Sequence, residues 1–257
     1  MPYLKYEKEG NVGIVTLDNP QKLNMVGEKF LDELEQIQKG IYADKSLRGM
    51  AIVANGSNFS AGIDITYLQT VGSRFIKDSL EWLQGLYSFW QKLPYPVVAG
   101  VQGYCIGSGI ELILGCDIRV AGESAKFSLP EVRFGLAPDM GGTSRLTKLV
   151  GVGQAKRLIL LCEEIEASEA LRIGLVEKVV PDERLTESVM KMVRTMSTFP
   201  PSGLRFAKKT INVAQDSSLA ASLLMEEAQS TYCCGTQDLL EATTAYIEKR
   251  KPAFRDE

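Results

Sequence analysis

The sequence predicts an α/β fold built from parallel βαβ units, followed by a helical C-terminal section. Three observations carry that expectation. Two short apolar runs, Gly49 to Ala54 and Val97 to Val101, have the composition of strands buried on both faces. Long amphipathic segments, about Val26 to Gly40 and Phe75 to Leu93, alternate with them. After about residue 145 the strand signals give way to helical periodicity, and Pro200-Pro201 marks a boundary within it.

The elements follow in order. Tyr3 to Glu7 and Val12 to Leu17, around Gly10-Asn11, read as an antiparallel hairpin. Asn19-Pro20 ends the second strand, and Asn24 is the expected N-cap of the helix from about Val26. After the Gly49 strand a loop leads to a helical or irregular stretch from Ile65. The Phe75 helix ends at Pro94 and Pro96, and the Val97 strand follows. Glycine turns then open a short apolar helix, Ile110 to Gly115. Ile118 to Ala121 and Lys126 to Ser128 are short strands. Helical runs cover Leu146 to Val150, Gly153 to Leu161, Ala167 to Ile173 and Arg184 to Ser197, with Leu175 to Val180 as the one late strand. Ser202 to Gln215, Leu219 to Cys234 and Asp238 to Lys251 complete the chain.

Composition removes whole classes of function. A formal charge of −3 gives no electrostatic case for nucleic acid or an anionic membrane. No run approaches the roughly 18 apolar residues of a membrane span. The opening Met1-Pro2-Tyr3-Leu4-Lys5 has no signal- or transit-peptide character, so a cytoplasmic location is the default expectation. The five cysteines are irregularly spaced and include no CxxC pair, so neither a disulfide framework nor a zinc cluster is expected. The chain has no histidine, which excludes Ser-His-Asp and Cys-His nucleophiles and His-based zinc sites. Acid/base chemistry therefore falls to carboxylates, Lys, Tyr or Cys.

Gly107-Ser108-Gly109 opens the short helix, whose first amides can face a developing negative charge. Glu111, in an apolar segment, Glu131 after Pro130, and Asp139 after Pro138 are three acids close to it in sequence. An oxyanion site beside several acids suits proton transfer next to a carbonyl. Each feature also has a plainer reading. The glycines make a tight strand-to-helix turn, Glu111 lies on a surface face, and Asp139 caps a turn. Trp82, Phe89 and Trp90 line an acyl pocket or are simply core.

Several ordered blocks resemble the enoyl-CoA hydratase/isomerase (crotonase) superfamily over essentially the whole chain. They are Val15 to Pro20 with Leu23-Asn24, Phe59-Ser60-Ala61-Gly62-Ile63-Asp64, Pro96 to Gly103, Glu111-Leu112 through Cys116-Asp117-Ile118-Arg119, Pro130-Glu131, Gly141-Gly142-Thr143 with Arg145-Leu146, and Glu248 to Phe254. The resemblance implies a crotonase (ClpP-like) fold of stacked ββα units. It implies a core over 1–199 and a C-terminal helical section over 200–257 that serves oligomerisation and the coenzyme A site. It implies a homotrimer or a hexamer of two trimers. The substrate would be an acyl-CoA thioester, with coenzyme A part of the substrate, no separate cofactor and no metal.

Residue by residue, the same resemblance gives the backbone amides of Ile63 and Ser108 as the oxyanion hole. Ser108 departs mildly from the Gly or Ala of many relatives, but it keeps the amide. Glu111 would activate water and Glu131 would handle the α-carbon proton. Lys22, Ala61, Asp64, Gly107, Tyr246 and Lys249 would meet coenzyme A or the substrate. Asp139 matches the aspartate of dienoyl-CoA isomerases. The favoured expectation is a hydro-lyase acting on a 2-enoyl-CoA or a cyclic dienoyl-CoA. A double-bond isomerase using Asp139 and Glu131 is the alternative. A catalytically dead structural or binding subunit is the reading from another class.

Overall fold

A computed structural model describes residues 2–256. Met1, part of the N-terminal opening read above, lies outside the described residues, as does Glu257. The architecture is α/β with a helical C-terminal section. Strands β1 (Leu4–Glu9) and β2 (Val12–Leu17) pair antiparallel, with Leu4 opposite Leu17. Strands β3 (Gly49–Ala54), β4 (Val97–Val101), β6 (Ile118–Gly122) and β9 (Lys178–Val180) then add in parallel. The resulting sheet has the order β1-β2-β3-β4-β6-β9.

The unbroken apolar runs of β3 and β4 follow from burial of both sheet faces. Met50, Ile52, Val97, Ala99 and Val101 enter the main core with α1 (Glu28–Ala43) and α3 (Ser73–Lys92). The intervening Ala51 and Val98 pack on the other face against Leu185, Val189 and Val193, all three on one face of α7 (Leu185–Met196). That alternation is the period of two expected of a strand.

A second sheet was not legible in the sequence. β5 (Tyr104–Ile106) and β7 (Lys126–Ser128) pair in parallel, and β8 (Ile165–Glu166) joins β7 antiparallel. Between β5 and β6 sits α4 (Ser108–Leu114), with every residue buried. Helix α2 (Ile65–Leu68) precedes α3. Helix α5 (Gly142–Leu160) bends at Gly151, which accounts for the two separate helical runs expected there. Helix α6 (Ala167–Arg172) follows β8.

The expected cap of α1 is corrected. The N-cap residue is Gly27, without a side-chain bond. Asn24 is instead buried in the preceding loop at φ 52°, where its amide nitrogen donates to the carbonyls of Asn55 and Asn58 and its side-chain oxygen accepts from Asn19 N. An asparagine with such partners serves the loop rather than the helix.

Helices α8 (Pro201–Ala214), α9 (Leu219–Cys234) and α10 (Gln237–Glu248) form the C-terminal section. Pro201 stands at the first helical turn, where its missing N–H costs nothing. Ser218 and Thr236 cap α9 and α10 through their hydroxyls. Lys208 of α8 reaches back to Asp117 in the core at 2.7 Å.

Candidate active site

The two blocks expected to supply the oxyanion amides are stapled together through Ser60 and β5. Ser60 N donates to Tyr104 O at 2.9 Å, and Ile106 N donates to Ser60 O at 2.9 Å. Ser60 Oγ donates to Asn24 O and accepts from Gly62 N. Gly62 adopts φ 86°, and a Cβ there would lie 2.8 Å from the Ile106 carbonyl oxygen. Only glycine meets both demands without strain. On the other side, Gly107 N donates to Ser128 O, and Ser108 begins α4. Among the described residues, neither Ile63 N nor Ser108 N has a hydrogen-bond acceptor. The first amides of a helix have no intrahelical partner, so Ser108 N remains available.

The Leu23 to Val26 loop packs on the first block. Ala61 N donates to Leu23 O, Val26 N to Gly62 O and Asp64 N to Val26 O. Lys22 is exposed beside this loop, and its charge reaches Asp64. The Asp64 carboxylate caps α2, accepting from Thr66 N at 2.8 Å and Thr66 Oγ1 at 2.6 Å, and these bonds hold it below the usual carboxylate range.

The three acids converge from separate elements. Glu111, on α4, is only 2% exposed. Its Oε1 accepts from Met140 N at 2.8 Å and Gly142 N at 2.9 Å. No hydrogen bond from the described residues engages its Oε2. Burial pushes its carboxyl up to about 7, helped by the charges of Glu131 and Asp139 and opposed by the two amides. Glu131 begins a 3₁₀ turn, and a Cβ on Gly107 would lie 2.7 Å from its Oε1. The carboxylate therefore rests over the turn that presents Ser108 N. Burial also pushes Glu131 up to about 7, with Asp139 adding to the rise. Asp139 is raised by burial and lines a cavity of about 310 Å³ shared with Gln84, Ser88, Arg145 and Lys148.

Residue types alone did not single out Tyr87. It is fully buried on α3, and burial and the charge of Glu111 raise its hydroxyl well above its ordinary range. Its hydroxyl, Ser108 Oγ and Glu131 Oε2 are buried without hydrogen-bond partners among the described residues. Trp90 is core, and Trp82 donates to Glu35 Oε1. The structure does not bring Tyr246 and Lys249 to the acids. Tyr246 is 87% exposed and Lys249 closes α10, and no hydrogen bond or ion pair among the described residues links either to the three carboxylates. The larger cavity of about 530 Å³ lies between α8 and the sheet and contains none of the three acids.

Comparison with known proteins identifies the family. Residues 7–257 match the family model for enoyl-CoA hydratase/isomerase. The chain is 35% identical over 248 residues to a short-chain-enoyl-CoA hydratase of Clostridium acetobutylicum, covering 95% of this chain and 94% of the relative. It is 33% identical to a crotonyl-CoA hydratase of Syntrophomonas wolfei, covering 96% of both chains. The crystal structure of an enoyl-CoA hydratase from Bacillus anthracis superposes with a TM-score of 0.94 at 31% identity, covering 99% of this chain and 100% of that one.

Proposed function

The chain belongs to the enoyl-CoA hydratase/isomerase family, and from that premise we propose how its own residues hydrate a 2-enoyl-CoA. The amides of Ile63 and Ser108 hold the thioester oxygen, and they stabilise it most as it gains charge in the enolate. Glu111 takes a proton from water through Oε2 while the water oxygen bonds to the β-carbon. Glu131 gives its proton to the α-carbon. One turnover leaves Glu111 protonated and Glu131 ionised, and proton exchange with solvent resets the pair. Both groups lie near pH 7, so each can occupy the state its step needs.

The observation that carries this reading is the one-sided grip on Glu111. Two amides fix Oε1 and leave Oε2 for water. The test follows loss of the conjugated enoyl absorbance of a short 2-enoyl-CoA. Glu111→Gln should abolish the loss and Asp139→Asn should spare it. A second reading, dienoyl- or enoyl-CoA isomerisation by Asp139 and Glu131, is favoured by one observation, that the charge of Asp139 acts on Glu131. Conversion of a dienoyl-CoA without hydration, lost in Asp139→Asn, would replace the first reading with the second.

Exposed apolar side chains on the C-terminal helices, among them Leu219, Leu224, Leu240 and Ile247, support a homotrimer or a hexamer of two trimers. Tyr246 and Lys249 would then meet coenzyme A from that section, and Lys22 from the N-terminal loop. No helix of the described residues is long and apolar enough to cross a membrane. The five free cysteines support a reducing compartment, and cytoplasm is the reading carried forward.

A further inference from the structure

The turn from Pro138 to Gly142 presents its amides inward and its carbonyls outward. Met140 N and Gly142 N hold Glu111. Each of the three leading carbonyls has a separate anchor. Thr143 Oγ1 donates to Pro138 O at 2.7 Å, Gln84 Nε2 to Asp139 O at 2.8 Å, and Arg145 Nη1 to Met140 O at 3.1 Å. The guanidinium is fixed in turn by α3, donating to Ser88 Oγ at 2.6 Å and Gln91 Oε1 at 3.3 Å. Gln84, Ser88 and Gln91 fall at i, i+4 and i+7, one face of the helix. Gly141 allows this approach, since a Cβ there would lie 2.0 Å from Arg145 Nη1.

Arg145 is unusual in its company. It is partly buried, yet every hydrogen bond it makes goes to a neutral acceptor, and no carboxylate of the described residues forms an ion pair with it. A desolvated cation normally has an anion against it. The anion that acts on Arg145 is Glu111.

We propose that Arg145, strapped to the Ser88 and Gln91 face of α3, is a positioning residue for Glu111: it fixes the turn whose amides orient that carboxylate and places a positive charge behind it. The proposal rests on the hydratase reading only for its kinetic consequence. The groups facing Glu111 are Glu131, Asp139, Tyr87 and Arg145. Of these only Arg145 carries a positive charge. Its removal has one sign, because lost charge and a loosened turn both raise the Glu111 carboxyl.

The experiment uses the whole chain as Arg145→Gln, Arg145→Lys and Gln84→Met. Glu111 is titrated by its carboxyl infrared band, assigned with Glu111→Gln. Hydration of a short 2-enoyl-CoA is measured across pH beside it. In Arg145→Gln the Glu111 titration should move up by roughly half to one pH unit. The acid limb of kcat should follow, with kcat about 10- to 100-fold lower and KM within about threefold. Arg145→Lys should recover part of each effect. Gln84→Met should move the titration less, in the same direction, and Arg145→Lys carries the test if Arg145→Gln does not fold. An unmoved Glu111 titration in a folded variant, or a loss that tracks only the folded fraction, overturns the proposal. If the wild type hydrates no 2-enoyl-CoA, the hydratase reading fails alone, and the infrared titration still decides the role of Arg145.

Discussion

At the scale of the residue, Glu111 and Glu131 reach similar acidity by different routes. Glu111 is nearly sealed and leans on two amides, while Glu131 lies over Gly107 with one oxygen unpartnered. The proposed hydration needs Glu111 ionised and Glu131 protonated. The rate should therefore fall on the acid side as Glu111 gains its proton and on the alkaline side as Glu131 loses its own. A bell centred near pH 7 is expected for kcat/KM, and a flat profile from pH 5 to pH 9 would sink the assignment. The same shift is a statement about stability. A carboxyl raised on folding binds its proton more tightly in the native state, so its contribution is full below the unfolded pKa and is lost as pH rises through about 7. Glu111→Gln, which keeps an acceptor for both amides, should be more stable than wild type at pH 8, by at most about 3 kcal/mol. The difference should vanish towards pH 4. Thermal melts at the two pH values check this, and an equal difference at both would contradict it.

At the scale of the element, the two turns proposed to form the oxyanion hole depend on glycines with close neighbours. Gly62→Ala would drive a methyl into Ile106 O, and Gly107→Ala would drive one into Glu131. Each should cost about 10²- to 10³-fold in kcat with a smaller change in KM, because a displaced amide is felt most in the transition state. Steady-state kinetics on folded variants would refute this if KM alone rose. The Gly107 turn was readable from its own glycines and small residue, and the Gly62 turn only through the resemblance of its block to a known family. Strands β3 and β4 were readable from their apolar runs, which reflect burial of both faces. The small sheet was not, since β8 is two residues long and its pairing with β7 spans about forty positions. The support of Glu111 was equally hidden. Gln84, Ser88 and Gln91 read only as polar positions of a helix until folding sets them against the Pro138 turn. Asn24 misled because a cap-type residue before a helix is also a loop-locking residue, and local spacing does not separate the two.

At the scale of the molecule, a partly buried ion pair helps moor the C-terminal helices to the core. Lys208 Nζ donates to Trp90 O and Tyr95 O, both at 2.9 Å, and meets Asp117 Oδ2 at 2.7 Å. Asp117 also accepts from Val97 N at the start of β4. All three ammonium protons are thus satisfied where α8, the end of α3 and the central sheet meet. Burial still dominates both partners, raising Asp117 and lowering Lys208 despite their attraction. Such a pair gives little net stability over an apolar replacement, yet losing one member leaves the other partly desolvated without its partner. Lys208→Met should therefore cost about 3 kcal/mol, because the Asp117 carboxylate stays behind. Adding Asp117→Asn to it should restore much of that loss, since the amide is neutral and can still accept from Val97 N. Urea unfolding of the two single variants and the double at neutral pH measures the coupling. If the costs simply add, the pair is not the mooring. If they do not, limited proteolysis should cut the 200–256 section faster in Lys208→Met than in the double variant, because the same contact governs how often α8 leaves the core.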